Sequence, residues 1–426
     1  MRICVVGAGY VGLTTATSLA DFGHEVQCVD MERSKIDSLC QGKVPIYEPG
    51  LGELISKNCK IGRLHFSSHV EGSIRDYPII LIAVGTPSKE DGSSNLTFIN
   101  QVVKIIASTI TDYKIIITKS TVPPGTNEWI HQTLVEMGIA EDLFDIVSNP
   151  EFLREGTALW DIYHPNKIVF GTKTDRPFKV LNKLYERGNV PIVYTSLTGA
   201  ELIKYACNAF LATKISFANE MARICDNYEV DYTDVAKGLA TDPRIGQHFL
   251  NAGLGFGGSC LPKDLNSLKH SALRQNVETK LLDAVLEIND TQIGHYLNKL
   301  RTVLPDLADK QITVWGVTFK PGTDDLRSSP AIALIKQLVQ MGCHVHTYDP
   351  MVHLDLPDVS SYIDQYESII GSDALIIATE WEQFYECNWS EVKSRMKGSV
   401  ILDARNCIDG KAVRRHGLHY LGVGKR

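Results

Sequence analysis

Apolar residues in this chain recur with two periods. Short unbroken apolar runs, at Ile3–Val6, Val26–Val29, Ile79–Val84, Ile115–Thr118 and Ile146–Ser148, alternate with stretches in which apolar residues return at helical spacing. Runs of that length predict central strands of a parallel sheet, buried on both faces. Leu13, Ala16, Leu19 and Ala20 mark the first helix, which Gly23 stops. Two longer helical patterns follow, at Thr198–Tyr228 and Lys280–Leu304; the second has the length and apolar face of a spacer and a dimer contact. After Pro305 the strand pattern resumes with Ile312–Trp315, Val345–Tyr348, Leu375–Ala378 and Val400–Leu402, with a helix predicted from Pro330 to Met341.

The loops at the strand ends hold the chemistry. Gly7-Ala8-Gly9-Tyr10-Val11-Gly12 joins the first strand to the first helix, and the second strand ends at Asp30, 18 residues past Gly12. This is the dinucleotide-binding turn in its full context: Gly7 for the tight turn, Gly9 for the pyrophosphate, Gly12 for helix-on-strand packing. Asp30 is placed for ribose hydroxyls and favours NAD over NADP. Arg33 and Lys35 weigh against that, either as a phosphate grip or as solvated helix charges. Later strands deliver Thr86, Thr121, Glu151 and Glu155 to the same edge, where ligands bind in open α/β sheets. The second α/β half lacks the glycine fingerprint. Its Lys320 and Arg405 are candidate phosphate grips, or basic residues that merely face water. The expected fold is α/β: two Rossmann-like doubly wound parallel-sheet domains joined by a central helical domain with a long connecting helix.

Lys204 and Asn208 share one face of the Thr198–Tyr228 helix, in a row that turns apolar at Leu211 and Ile215. They read as site residues, against the alternative of a lysine reaching for water. Gly255-Phe256-Gly257-Gly258-Ser259-Cys260-Leu261-Pro262-Lys263-Asp264 places one cysteine before a helix whose first turn holds Pro262. A helix N-terminus and nearby Lys263 favour a thiolate there. The alternative is a small buried cysteine after a simple turn.

Composition narrows the partners. The 426 residues suffice for two or three domains, and 44% apolar with 22% charged residues is ordinary for a soluble globular chain. A net charge of −7 argues against nucleic acid. No apolar run approaches a membrane span, and the glycines and early acids of the N-terminal stretch do not suit a signal peptide. The ten cysteines show no metal-ligand spacing, so no metal is expected; they suit a reduced, cytoplasmic chain.

Taken together, Gly7–Gly12, Gly85-Thr86-Pro87, Ser120-Thr121-Val122-Pro123, Asn149–Gly156, Lys204 with Asn208, Gly255–Asp264 and Phe319-Lys320-Pro321 with Asp325-Leu326-Arg327 resemble the UDP-glucose/GDP-mannose dehydrogenase family, in order and over nearly the whole chain. The resemblance implies an NAD domain (1–196), a central helical domain that forms a homodimer and carries the cysteine loop (197–304), and a UDP-sugar domain (305–426). It implies four-electron oxidation of a sugar CH₂OH to a carboxylate with two NAD, UDP-glucose to UDP-glucuronate; GDP-mannose or a UDP-N-acetyl-hexosamine is the alternative substrate. By residue, it implies that Gly7, Gly9, Tyr10, Val11, Gly12, Asp30, Lys35, Thr86, Thr121, Glu155, Lys263 and Arg327 touch NAD. Glu151, Phe152, Leu153, Arg154, Glu155, Lys204, Asn208, Phe249, Leu250, Asn251, Ala252, Gly253, Gly257 and Lys320 hold the sugar nucleotide, with Arg244 (from the other subunit) and Arg405 as further candidates.

That chemistry accounts for the residue types. Lys204, Asn208 and Asp264 would stabilise a developing alkoxide. An aldehyde yields a second hydride only after something adds to it, and the Cys260 thiolate would do so, giving a thiohemiacetal and then a thioester. Glu151, helped by Thr121, would activate the hydrolytic water. Two rival readings are a one-step hydroxyacid-type dehydrogenase, which needs neither Cys260 nor the C-terminal half, and a non-catalytic NAD-sensing protein.

Overall fold

A computed structural model describes residues 1–185 and 190–425. The chain forms two compact units: Met1–Cys207 with Asn266–Asn276, and Asn208–Leu265 with Val277–Arg426. It passes from one unit to the other inside the helices Leu197–Asn227 and Leu261–Leu273.

The first unit contains strands β1 (Arg2–Val6), β2 (Glu25–Val29), β3 (Leu64–Ser67), β4 (Ile79–Ile82), β5 (Lys114–Thr118), β6 (Phe144–Ser148), β7 (Ile168–Thr172) and β8 (Ile192–Thr195). They form one sheet in the order β3-β2-β1-β4-β5-β6-β7-β8. The sheet is parallel except where β7 runs antiparallel to β6, a reversal that the apolar pattern did not signal. Because side chains alternate along a strand, each apolar run feeds two cores. Ile3 and Val5 of β1, Ile79 and Leu81 of β4, and Ile115 and Ile117 of β5 pack on one face. Their neighbours Cys4, Val6, Ile80, Ile82 and Ile116 pack on the other. A strand with both faces covered by helices has no room for polar alternation, which is why these runs read as unbroken.

The second unit carries β9 (Gln311–Trp315), β10 (His344–Tyr348), β11 (Val359–Tyr362), β12 (Ala374–Ile377), β13 (Val400–Asp403) and β14 (His419–Gly422). Their order is β11-β10-β9-β12-β13-β14, all parallel, the same winding as the first six strands of the other sheet. The echo extends to the first turn. Gly7 (φ +108°) donates its N–H to Val29 O at 2.7 Å, and Gly316 (φ +86°) donates to Tyr348 O at 2.8 Å. The acid that ends the next strand then binds the amide after each glycine: Ala8 N–H to Asp30 and Val317 N–H to Asp349, both at 2.8 Å. A positive φ at each turn explains the glycine. The two halves therefore share a backbone solution, although only the first has G-x-G-x-x-G.

The long helices match their patterns to within a turn: Leu197–Asn227, Lys280–Arg301 and Pro330–Gln340. Ile293, Tyr296, Leu297 and Leu300 of the second bury their stripe in the core of the second unit, along with Ala218 and Ala222 of the first.

Candidate active site

The dinucleotide turn has the shape its glycines suggest. A Cβ on Gly7 would lie 2.6 Å from Ala83 O, and one on Gly12 would lie 1.8 Å from Gly7 O. Above Gly9 there is nothing within 4 Å, so a diphosphate can approach the backbone at the start of the helix Tyr10–Asp21. Asp30 accepts N–H bonds from Ala8 (2.8 Å) and Glu32 (2.9 Å), and Lys35 Nζ lies 3.3 Å from it. Lys35 also pairs with Glu32 at 3.2 Å. Burial works against the Lys35 charge, but Asp30 and Glu32 outweigh it and hold its pKa above the usual lysine range. Lys35 thus pairs with both Asp30 and Glu32, with 25% of its side chain exposed. These residues fit NAD, which accepts a hydride when bound.

Two of the strand-end loops are tied to each other. Thr86 Oγ1 donates to Thr121 O at 2.8 Å, joining the loops after β4 and β5. Beyond β6, Glu151 meets Lys204 at 3.0 Å, with only 6% and 5% of their side chains exposed. Lys204 therefore does not reach for water. Leu153 N–H donates to the same carboxylate at 2.5 Å, and the Phe152 ring lies 5.4 Å from Lys204 Nζ and 4.4 Å from Lys167 Nζ. Burial alone would raise the Glu151 pKa. The Lys204 charge, the Leu153 N–H and Lys119 outweigh it and hold the carboxyl below its usual range. Arg154 turns outward to Asp161 (2.5 Å), its side chain 63% exposed.

The sequence reading missed Lys119. It is buried, donates to Asn149 Oδ1 at 3.2 Å, and shares that acceptor with Tyr185 OH at 2.8 Å. Burial, with Lys204 also repelling it and Glu151 only partly compensating, lowers its pKa to about 8. The only signal was its place directly after β5, where a lysine reads equally well as a turn residue.

In the second unit, Cys260 stands immediately before the helix Leu261–Leu273. Its carbonyl accepts the first helical bond from Asp264 N–H at 2.9 Å, so it occupies the N-cap position. Its side chain is exposed, not buried in hydrocarbon. Asp264, 1% exposed, receives Asn208 Nδ2 at 2.6 Å and Lys263 Nζ at 2.5 Å. The loop before the cysteine is held tightly. A Cβ on Gly257 would lie 2.2 Å from Ser328 O, and one on Gly258 would lie 2.7 Å from the Phe319 ring. Asn289 receives Phe256 N–H at 2.7 Å and returns a bond to Phe256 O at 3.2 Å. Lys204 and Asn208 lie one turn apart on the continuous helix Leu197–Asn227.

The remaining candidates differ in kind. Arg405 spends its guanidinium on carbonyls, donating to Ala378 O at 2.7 Å, Gly255 O at 3.3 Å and Phe319 O at 3.2 Å, with Glu380 alongside at 3.2 Å. That makes it a strut for the cysteine loop. Gly253 donates to Asn219 Oδ1 and accepts from Gln292 Nε2, both at 2.8 Å, while Leu250 and Ala252 are buried and Asn251 is exposed. Phe249 holds a left-handed φ of +62° and is 39% exposed. Arg244 and Arg327 each pair locally, with Asp242 (2.6 Å) and Asp325 (2.7 Å), and have 87% and 66% of their side chains exposed. Lys320 Nζ lies 5.8 Å from the Phe319 ring centre.

Comparison with known proteins decides the family. The UDP-glucose/GDP-mannose dehydrogenase NAD binding, central and UDP binding domains match residues 1–189, 198–291 and 313–410. The chain belongs to the UDP-glucose/GDP-mannose dehydrogenase family. It therefore carries that family's NAD-binding domain and is an oxidoreductase. It is 47% identical to YtcA of Bacillus subtilis strain 168, over all of both chains. It is 41% identical to the UDP-glucose 6-dehydrogenase TuaD of the same strain, over all of this chain and 93% of that one. A UDP-glucose dehydrogenase from the archaeon Pyrobaculum islandicum shares its structure with a TM-score of 0.93 at 34% identity, covering 100% and 98% of the two chains. A UDP-D-ManNAc dehydrogenase from Pyrococcus horikoshii scores 0.90 at 28% identity, covering 100% and 99%. Among the described residues of this family member no His/Cys/Asp/Glu group could hold a metal, and no helix is long and apolar enough to cross a membrane.

Proposed function

We propose that this enzyme oxidises the C6 alcohol of UDP-glucose to a carboxylate in two hydride steps, using Cys260 as a covalent anchor. The observation that carries the reading is the exposed thiol at a helix N-terminus, four residues before a buried carboxylate that holds both Asn208 and Lys263. The N-terminal end of a helix favours a thiolate there. Relatives named as UDP-glucose 6-dehydrogenases, 36–41% identical over the whole chain, favour UDP-glucose over GDP-mannose or a UDP-N-acetyl-hexosamine.

The residues divide the work as follows. Lys204, Asn208 and Asp264 stabilise the alkoxide as the alcohol loses its proton and then a hydride. The Cys260 thiolate adds to the resulting aldehyde, forming a C–S bond and a thiohemiacetal. Loss of a second hydride and a proton leaves a thioester on the sulfur. Glu151, kept ionised by Lys204, positions the water that cleaves the C–S bond, with Thr121 assisting. In balance, RCH₂OH, two NAD⁺ and water give RCOO⁻, two NADH and three protons.

On this reading residues 1–196 serve NAD, 197–304 carry the cysteine and the dimer contact, and 305–426 hold UDP. Phe210, Phe217 and Ile224, 65%, 43% and 45% exposed, place an uncovered apolar stripe on the long helix, which supports a homodimer. Ten cysteines without a disulfide support a reducing compartment, the cytoplasm. The test is the NADH yield per UDP-glucose consumed. Two are expected; one would falsify the two-step route in favour of a simple alcohol dehydrogenase. NADH binding with no turnover on any nucleotide sugar would favour a sensor.

A further inference from the structure

Glu48 belongs to none of the sequence motifs, yet it is buried, with 6% of its surface exposed. Its Oε2 accepts the Gly156 N–H at 2.8 Å and also the Tyr10 hydroxyl, and its Oε1 accepts the Leu159 N–H at 3.1 Å. Gly156 N–H also reaches Tyr10 OH at 3.0 Å, closing a triangle. Tyr10 belongs to the dinucleotide turn, and Gly156 ends the loop that begins at Glu151. Leu159 lies in the first turn of the helix Ala158–Tyr163, where an amide lacks a helical partner. Burial and the Glu48 contact both push the Tyr10 phenol pKa up, so the phenol keeps its proton and donates it.

We propose that Glu48 and Tyr10 form a clasp through which an occupied coenzyme turn stiffens the 151–159 loop, making Glu48 a positioning residue for the sugar site. A buried carboxylate must keep its donors, because an unpaired charge in that setting is far costlier than a broken surface contact. Here the donors come from two loops, so neither moves without uncoupling the charge. A diphosphate against the backbone of Gly9–Val11 would fix Tyr10, and through Tyr10 the carboxylate and the amides of Gly156 and Leu159. The coupling is reciprocal: a loop held by a sugar nucleotide would tighten the coenzyme turn. The proposal rests on the reading above only for the loop's role, and its test uses no sugar nucleotide. A wrong sugar would therefore leave the result intact.

The experiment is amide hydrogen exchange of residues 152–159, with and without NADH, in wild type, Glu48→Gln and Tyr10→Phe. In the wild type, NADH is expected to slow exchange at Gly156 and Leu159 by about tenfold, and in each variant by less than about twofold. Glu48→Gln is expected to bind NADH within about threefold of wild type, since the hydrogen bond Glu48 makes to the coenzyme turn is to the Tyr10 side chain. Equal slowing in both variants, or none in the wild type, overturns the proposal. Tyr10→Phe keeps the ring and removes one hydroxyl, so it serves as the test if Glu48→Gln does not fold.

Discussion

Replacing Lys204 with methionine tests the buried ion pair. Methionine keeps an unbranched stem of similar length and removes the ammonium with its charge and its donors. In the native protein the Glu151 and Lys204 charges lie 3.0 Å apart, with 6% and 5% side-chain exposure. At an effective dielectric of about 20, that separation is worth about 5 kcal/mol of gross attraction, most of which offsets desolvation. Losing one partner of a buried pair typically costs about 3–5 kcal/mol. Lys119 also acts on Glu151 and the Leu153 N–H stays bound, so the lower figure, about 3 kcal/mol, is expected. Urea unfolding followed by tryptophan fluorescence measures it. Glu151→Gln/Lys204→Met should recover part of the loss, giving a favourable coupling in a double-mutant cycle. There is also a kinetic signature. Without Lys204, burial dominates and the Glu151 pKa rises, so turnover should be depressed most at low pH and recover partly as pH increases. A Lys204→Met protein within about 1 kcal/mol of wild type, with an unchanged pH profile, would mean that the pair is well solvated and the reasoning wrong.

Gly257→Ala should be costly, because its Cβ would fall 2.2 Å from the carbonyl of Ser328. A loss of about 1–3 kcal/mol is expected, with acid production falling further as the cysteine loop shifts; thermal melts and turnover measure both. Glu201 is 3% exposed and takes bonds from Gly125 N (2.6 Å) and from Asn127 N and Nδ2 (both 2.7 Å). Burial outweighs these donors and raises its pKa to about 7 from an ordinary 4.5. The folded state therefore holds a proton that the unfolded chain releases, and stability should fall as pH climbs between those values, by at most about 3 kcal/mol, then level off. Glu201→Gln should flatten that slope in urea titrations across the same range.

Much was legible in the sequence because it depends on local spacing. Unbroken apolar runs such as Ile79–Ile82 identify strands covered on both faces, and they were located to within two residues. The stripe on Leu197–Asn227 placed Lys204 and Asn208 one turn apart, and Pro262 placed Cys260 at a helix start, because a helix has one period and its first turn needs no N–H from proline. Strands β3, β7, β8, β11 and β14 went unread. Val359–Tyr362 and Ile192–Thr195 sit at sheet edges with exposed residues, where polar side chains are tolerated and the pattern fades.

What a residue meets far along the chain was not legible at all. Local spacing says nothing of Lys119 beside Glu151 and Lys204, of Arg405 bracing Gly255 and Phe319, or of Glu48 joining Tyr10 to Gly156. Each such pairing depends on which strand ends the winding of the sheet brings together. The sequence by itself determined the periods, the turns and the types of chemistry. Tertiary structure decided which charges are buried together, because burial and partnership depend on neighbours distant in the chain.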